Sequence, residues 1–233
     1  MAIVAAGTAI PSSAATVNQT KKYPVPWDFL LDAVLAAAQN GPTVPPPGAT
    51  NPSDPCPNGT LAAHHNPVIL IHGLLANEND NWQSISPFLA DNGYCVYALT
   101  YGTLSSEPPL DLMGGLTDMT ASAQQLSAFV VQVLRNNPGV TKVDIVGHSE
   151  GGTMPDWYLK FDGGALHVAH FVALSGVLHG TNLLGAGELY ALGQPFGLSH
   201  ALTQSVASFC ESCIEFLPSS TWMKTLDDPH ASG

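Results

Sequence analysis

Val143-Asp144-Ile145-Val146-Gly147-His148-Ser149-Glu150-Gly151 joins an apolar run to a Gly-x-Ser-x-Gly pentapeptide, and this junction decides the fold. Lys142 to Val146 reads as a strand, and the residues after Ser149 read as a helix running to about Phe161. A serine between them sits on a sharp strand-to-helix turn. Neighbouring backbone leaves no room for a side chain two positions before or after it, so both positions favour glycine. The hydroxyl is thereby held out at the carboxyl end of a sheet.

Working outward, Pro67-Val68-Ile69-Leu70-Ile71-His72-Gly73 is the continuous apolar run of a strand buried on both faces, and Tyr94 to Leu99 is a second. Asn81 to Asp91 fits a helix between them. Met119, Ala123, Leu126, Val130, Val133 and Leu134 recur at helical spacing behind Thr117-Asp118, a capable N-cap, and that helix stops at Asn136-Asn137-Pro138-Gly139. Val168 to Leu174 is a further strand. Strands alternating with helices predict an α/β fold, with a mainly parallel sheet covered by helices on both faces, over residues 67–233. The serine then lies where such folds place active sites.

Residues before this core read differently. Seven of the sixteen residues from Pro42 to Pro57 are proline, so residues 21–66 form an extended, Pro-rich preface whose one periodic piece is a helix from Trp27 to Gln39. Residues 1–20 are apolar and then small, which suits the remnant of a signal peptide or a flexible terminus. Residues 179–217 are Gly-rich, apolar and poor in charge. They are expected to form a lid-like insertion, with an ordinary helical insertion packed on the core as the alternative.

Composition narrows the partners. Apolar residues make up 45% of the chain and charged ones 10%, which suits a secreted or lipid-handling protein, and the net charge of −12 argues against nucleic acid and anionic membranes. No metal, cofactor or obligate partner is called for, and a monomer is expected. Cys56, Cys95, Cys210 and Cys213 are even in number but lack the spacing of paired metal knuckles. Two disulfides in an oxidising compartment, or four buried thiols, both fit.

A serine hydroxyl is a poor nucleophile without a base, an acid to orient that base, and donors for the oxyanion that forms. With Ser149 as nucleophile, the donors fall to the main-chain N–H groups of Leu74, after the first strand, and Glu150, after the serine. His72 is expected to shape the loop rather than act as base, and His148 to point away from the site. His167, His170, His179, His200 and the tail residue His230 suit core, surface or lid positions better than a triad.

The stretch Pro67 to Tyr101, with Ile71-His72-Gly73, Asn81-Trp82, Leu89-Ala90 and Asn92-Gly93-Tyr94-Cys95, joined to Gly147-His148-Ser149-Glu150-Gly151-Gly152-Thr153-Met154-Pro155, resembles the secreted class 2 lipases of actinobacteria, within the α/β-hydrolase superfamily. The resemblance runs from about residue 24 to 226. It implies hydrolysis of carboxylic esters, acylglycerols above all, through an acyl-serine and without a cofactor. The low charge and lid-like segment also suit transient contact with a lipid-water interface. The resemblance further implies Cys56–Cys95 and Cys210–Cys213 disulfides. Pro155, within the helix expected after the serine, departs from helix propensity in a way the family shares. Phe216 to Leu226 resembles the approach to the strand that carries the family's catalytic Asp, with the His later still. The C-terminal strands are therefore expected to be missing, and acid and base stay unassigned. A catalytically crippled fold serving as a binding module, or a truncated product, is the rival reading.

Overall fold

The computed structural model describes residues 22–26, 44–107, 110–182 and 206–231. Four strands, β1 (Val68–Ile71), β2 (Val96–Leu99), β3 (Val143–His148) and β4 (Val168–Leu174), form one parallel sheet in the order β2-β1-β3-β4. Parallel strands need crossovers, and helices supply them: α1 (Thr60–Ala63) precedes the sheet, α2 (Ile85–Asp91) links β1 to β2, and α3 (Met119–Asn136) links β2 to β3. α4 (Met154–Phe161) and α5 (Gly164–His167) lead to β4, and α6 (Glu211–Glu215) and α7 (Thr221–Asp227) follow it.

Alternation along each strand divides the core in two. Ile69, Ile71, Tyr97, Val143 and Ile145 pack with Met119, Ala123, Leu126, Val130 and Val133 of α3 and with Met154 and Tyr158 of α4. Val68, Leu70, Val96 and Ala98 face the other way, against Trp82 and the α2 residues Ile85 and Leu89. All four residues of β1 are buried, as a central strand covered on both faces requires. The architecture is the expected α/β-hydrolase arrangement.

Local chemistry sets several boundaries. Asp118 caps α3, its carboxylate accepting from the Ala121 N–H at 2.7 Å. The helix expected from Asn81 to Asp91 divides into a 3-10 turn, Asp80–Trp82, and α2. The helix expected directly after Ser149 also divides: a 3-10 turn covers Ser149–Gly152, Thr153 departs from helical geometry, and α4 starts at Met154. Pro155 thus stands in a first turn, where its missing N–H costs nothing, so it is no departure from helix propensity. Thr221–Asp227 is a helix, capped by the Ser220 hydroxyl. The helix expected at Trp27 to Gln39, residues 1–20, His200 and the middle of the 179–217 segment lie outside the described residues.

Two disulfides, Cys56–Cys95 and Cys210–Cys213, are formed, which removes the alternative of four free thiols. The first ties the Pro-rich segment to the start of β2. Thr50 N–H donates to Val96 O on the outer edge of β2, and Asn137 bridges Cys56 N–H and the Tyr97 hydroxyl. At the far side α7 is bound to α4 by Trp157–Trp222 stacking, with centroids 5.1 Å apart, and by Lys160 Nζ donating to the carbonyls of Leu226 and Asp228. β4 is different from its neighbours. Among the described residues it pairs on one side only, and Ala169, His170, Val172 and Ala173 are exposed.

Candidate active site

Register brings the chemistry together. Ile71, the last residue of β1, lies opposite Gly147 of β3, so the loop leaving β1 and the turn leaving β3 emerge side by side at the carboxyl ends of the strands. Ser149 sits in that turn with φ of 54°, in the left-handed region that a side-chain-bearing residue occupies only when its surroundings impose it. The surroundings are backbone: a Cβ at Gly147 would collide with the carbonyl of Gly151, and one at Gly151 with the carbonyl of Ile71. Those two glycines let the turn close and let it seat against β1.

The loop after β1 completes the arrangement. A Cβ on Gly73 would stand 3.0 Å from the Ser149 Cβ, which puts Leu74 beside Ser149. Among the described residues, the Leu74 N–H has no acceptor. Leu75, with φ of 64°, turns the chain so that its N–H reaches Gly114 O, while Gly114 N–H returns to Ala76 O. Glu150 lies in the first turn of the 3-10 segment, where N–H groups have no intrahelical acceptor. Two unsatisfied main-chain donors therefore flank Ser149, the arrangement that stabilises a developing oxyanion.

His72 does not serve as a base. Its ring is fully buried and stacks on Tyr101 at 4.3 Å; Nε2 accepts the Tyr101 N–H, so Nδ1 carries the hydrogen and donates to Gly73 O at 2.7 Å. Burial, opposed in part by the Gly73 bond, lowers its pKa to about 4, and the ring stays neutral while shaping the loop. His148 is turned toward Asn81. His170 pairs with Asp144 at 2.8 Å on the exposed face of the sheet. His179 pairs with Asp227 at 3.0 Å in a recess of about 420 Å³ beside Asp156 and Lys160, and that recess lies along α4, away from the turn. His230 is exposed. Among the described residues, no side chain bonds the Ser149 hydroxyl, and no three His, Cys, Asp or Glu side chains cluster as metal ligands.

Two residues of this site were not legible as such in the sequence. Asn81 is buried, and its carboxamide oxygen meets both Gly73 N–H, at 3.1 Å, and His148 Nδ1, at 3.0 Å. Glu150 contributes more than its N–H. Its side chain is fully buried, with neither carboxyl oxygen hydrogen-bonded, beside the Tyr101 hydroxyl and toward Glu215. Desolvation lifts its pKa well above the carboxylate range, the Tyr101 contact opposing and Glu215 adding to the effect. The Tyr101 hydroxyl donates to His72 O at 2.9 Å.

A parallel sheet with a serine elbow at its carboxyl edge and paired main-chain donors beside it defines an α/β-hydrolase. The family profile described as "Lipase (class 2)" matches residues 65–231, and the chain belongs to that family. A triacylglycerol lipase of Pseudarthrobacter phenanthrenivorans is 38% identical over 98 residues, covering 40% of this chain and 28% of the relative. One of Burkholderia plantarii is also 38% identical over 98 residues, covering 40% and 25%. The matched stretch thus spans about a quarter of each relative. Among solved structures, a mature Bacillus licheniformis lipase covers 80% of this chain and 62% of its own, at 19% identity and a TM-score of 0.46.

Proposed function

We propose that this chain carries the nucleophile and oxyanion hole of a secreted carboxylic ester hydrolase acting on acylglycerols. Ser149 is the nucleophile: its oxygen attacks the ester carbonyl, Leu74 and Glu150 N–H groups hold the resulting oxyanion, the alcohol departs, and water releases the acid from the acyl-serine. The observation that carries this reading is a serine held at φ of 54° between two unsatisfied main-chain donors. Membership of the class 2 lipases supports the ester substrate. Leu75, Leu110 and Met113, at 54%, 46% and 40% exposure, put apolar side chains on the paired loops beside the donors, as a lipid substrate and a lipid-water interface favour. Two disulfides support an oxidising, extracellular setting. On this reading a Pro-rich preface (21–66) leads into a hydrolase core (67–233), and the chain acts as a monomer.

The test is covalent labelling of the full chain by a fluorophosphonate, read by intact mass and peptide mapping, followed by release of fatty acid from short- and medium-chain triacylglycerols. One adduct at Ser149, absent from Ser149→Ala, is expected. A folded chain that takes up no label at Ser149 overturns the assignment.

A further inference from the structure

Two chain segments build the oxyanion hole: the loop after β1, which carries Leu74, and the turn after β3, which carries Ser149 and Glu150. They are not covalent neighbours. Backbone hydrogen bonds from the loop lead elsewhere, Leu75 N–H to Gly114 and Ala76 N–H back to Gly73, so they fix the loop's shape without fixing its distance from the turn. Among the described residues, the Asn81 carboxamide oxygen bonds both. Asn81 Oδ1 lies 3.1 Å from Gly73 N, one residue before Leu74, and 3.0 Å from His148 Nδ1, one residue before Ser149.

The chemistry of that junction is determined by its least ambiguous member. A main-chain N–H can only donate, so the Asn81 atom facing Gly73 is the carboxamide oxygen and not the amide nitrogen. An oxygen can only accept, so His148 Nδ1 must carry hydrogen. Asn81 itself is firmly held on its 3-10 turn: Asn77 Oδ1 accepts from the N–H groups of Asn79 and Asp80, the Asn81 N–H donates to Asn77 O, and Asn77 Nδ2 donates to Leu112 O. The next residue, Trp82, is buried at 1% exposure and anchors the turn in the core. Burial also lowers the His148 pKa, in keeping with a neutral ring.

We infer that Asn81 is a positioning residue whose single carboxamide oxygen clamps the loop after β1 to the residue preceding the nucleophile, and so sets the separation of the two oxyanion donors. The clamp fixes His148 as the Nδ1–H tautomer. Its relevance to catalysis rests on the function proposed above, whereas the clamp itself does not.

The experiment uses the full chain labelled with ¹⁵N. Long-range ¹H–¹⁵N correlation reads the His148 tautomer, assigned with His148→Gln, and amide exchange reads the Gly73 N–H. The wild type is expected to show Nδ1–H at His148 and a protected Gly73. Asn81→Ala removes the acceptor; it is expected to release His148 toward Nε2–H and to speed Gly73 exchange by about tenfold, the worth of one such hydrogen bond. Asn81→Asp keeps an acceptor oxygen, so tautomer and protection persist while the new charge raises the His148 pKa. A wild-type His148 protonated at Nε2, or an Asn81→Ala chain unchanged in both readouts, overturns the clamp. The Asp variant and the wild-type tautomer keep the test decisive should the Ala variant misfold. Fluorophosphonate labelling separates the two claims. A rate that falls about tenfold in Asn81→Ala and recovers in Asn81→Asp supports positioning, and an unchanged rate overturns it. Intact NMR signatures in a chain that never labels would preserve the clamp and reject the hydrolase reading.

Discussion

Glu150→Gln separates the proposed oxyanion-donor N–H of this residue from its side chain. The substitution leaves the main chain in place and replaces a buried acid with a neutral group of the same shape. Glu150 is 0% exposed and its pKa is raised well above an unfolded value near 4.3 by desolvation. Between those two pKa values the folded chain holds a proton that the unfolded chain has lost. A raised carboxyl therefore contributes stability that is complete below pH 4.3 and falls as pH rises, at about 1.36 kcal/mol per pH unit. The loss accumulates with each step of pH between those two pKa values, and Gln at this position does not suffer it. Glu78, raised to about 8 by burial, keeps the same downward slope in wild type and variant, and His72, lowered to about 4, opposes it below pH 6.5 in both. Those contributions cancel in the comparison. Urea denaturation at pH 5, 6 and 7, followed by tryptophan fluorescence with disulfides intact, gives the difference directly. The variant should gain on the wild type steadily from pH 5 to 7, by at most about 1.4 kcal/mol for each pH unit. Parallel pH profiles for the two chains would show that Glu150 is not held protonated and would refute the reasoning.

Ser149→Gly should be more stable than Ser149→Ala by about 1 kcal/mol, because both lack the hydroxyl but only glycine accepts φ of 54° without strain; equal stabilities in urea would mean the turn is relaxed. Gly151→Ala places a methyl group against the Ile71 and His72 carbonyls and should cost at least about 3 kcal/mol, seen as a lowered thermal midpoint by circular dichroism. Replacing Cys56 and Cys95 together by serine opens a loop of sequence separation 39, and chain entropy sets the loss near 4 kcal/mol; a variant as stable as the parent in urea would count against a formed bridge.

Legibility in the sequence followed from how local each cause is. β4 spans Val168–Leu174 as its β-branched and apolar run indicates, and α3 starts where Asp118 supplies a cap, since both depend on residues adjacent in the chain. The Gly147 and Gly151 pair was readable because a backbone collision leaves a compositional trace. Asn81 left none: in a polar loop, a residue that bridges Gly73 to His148 is indistinguishable from one that faces solvent until the fold brings position 148 beside it. The burial of the Glu150 side chain was hidden likewise, because its enclosure comes from Tyr101, Gly115 and Glu215, all distant in sequence. The division of the helix after Ser149 reflects a competition that propensity alone does not resolve. The tight turn ends at Thr153, whose hydroxyl accepts from Val177 N–H, and the α-helix can begin only after it.

The sheet has two unlike margins. Along β2 the Pro-rich segment already occupies an outward carbonyl through Thr50, whereas β4 offers its outer row of N–H and C=O groups uncovered by another described strand. Among the described strands, an added extended segment would find free main-chain groups along β4, and bonds formed there require no change at the elbow, which belongs to β3.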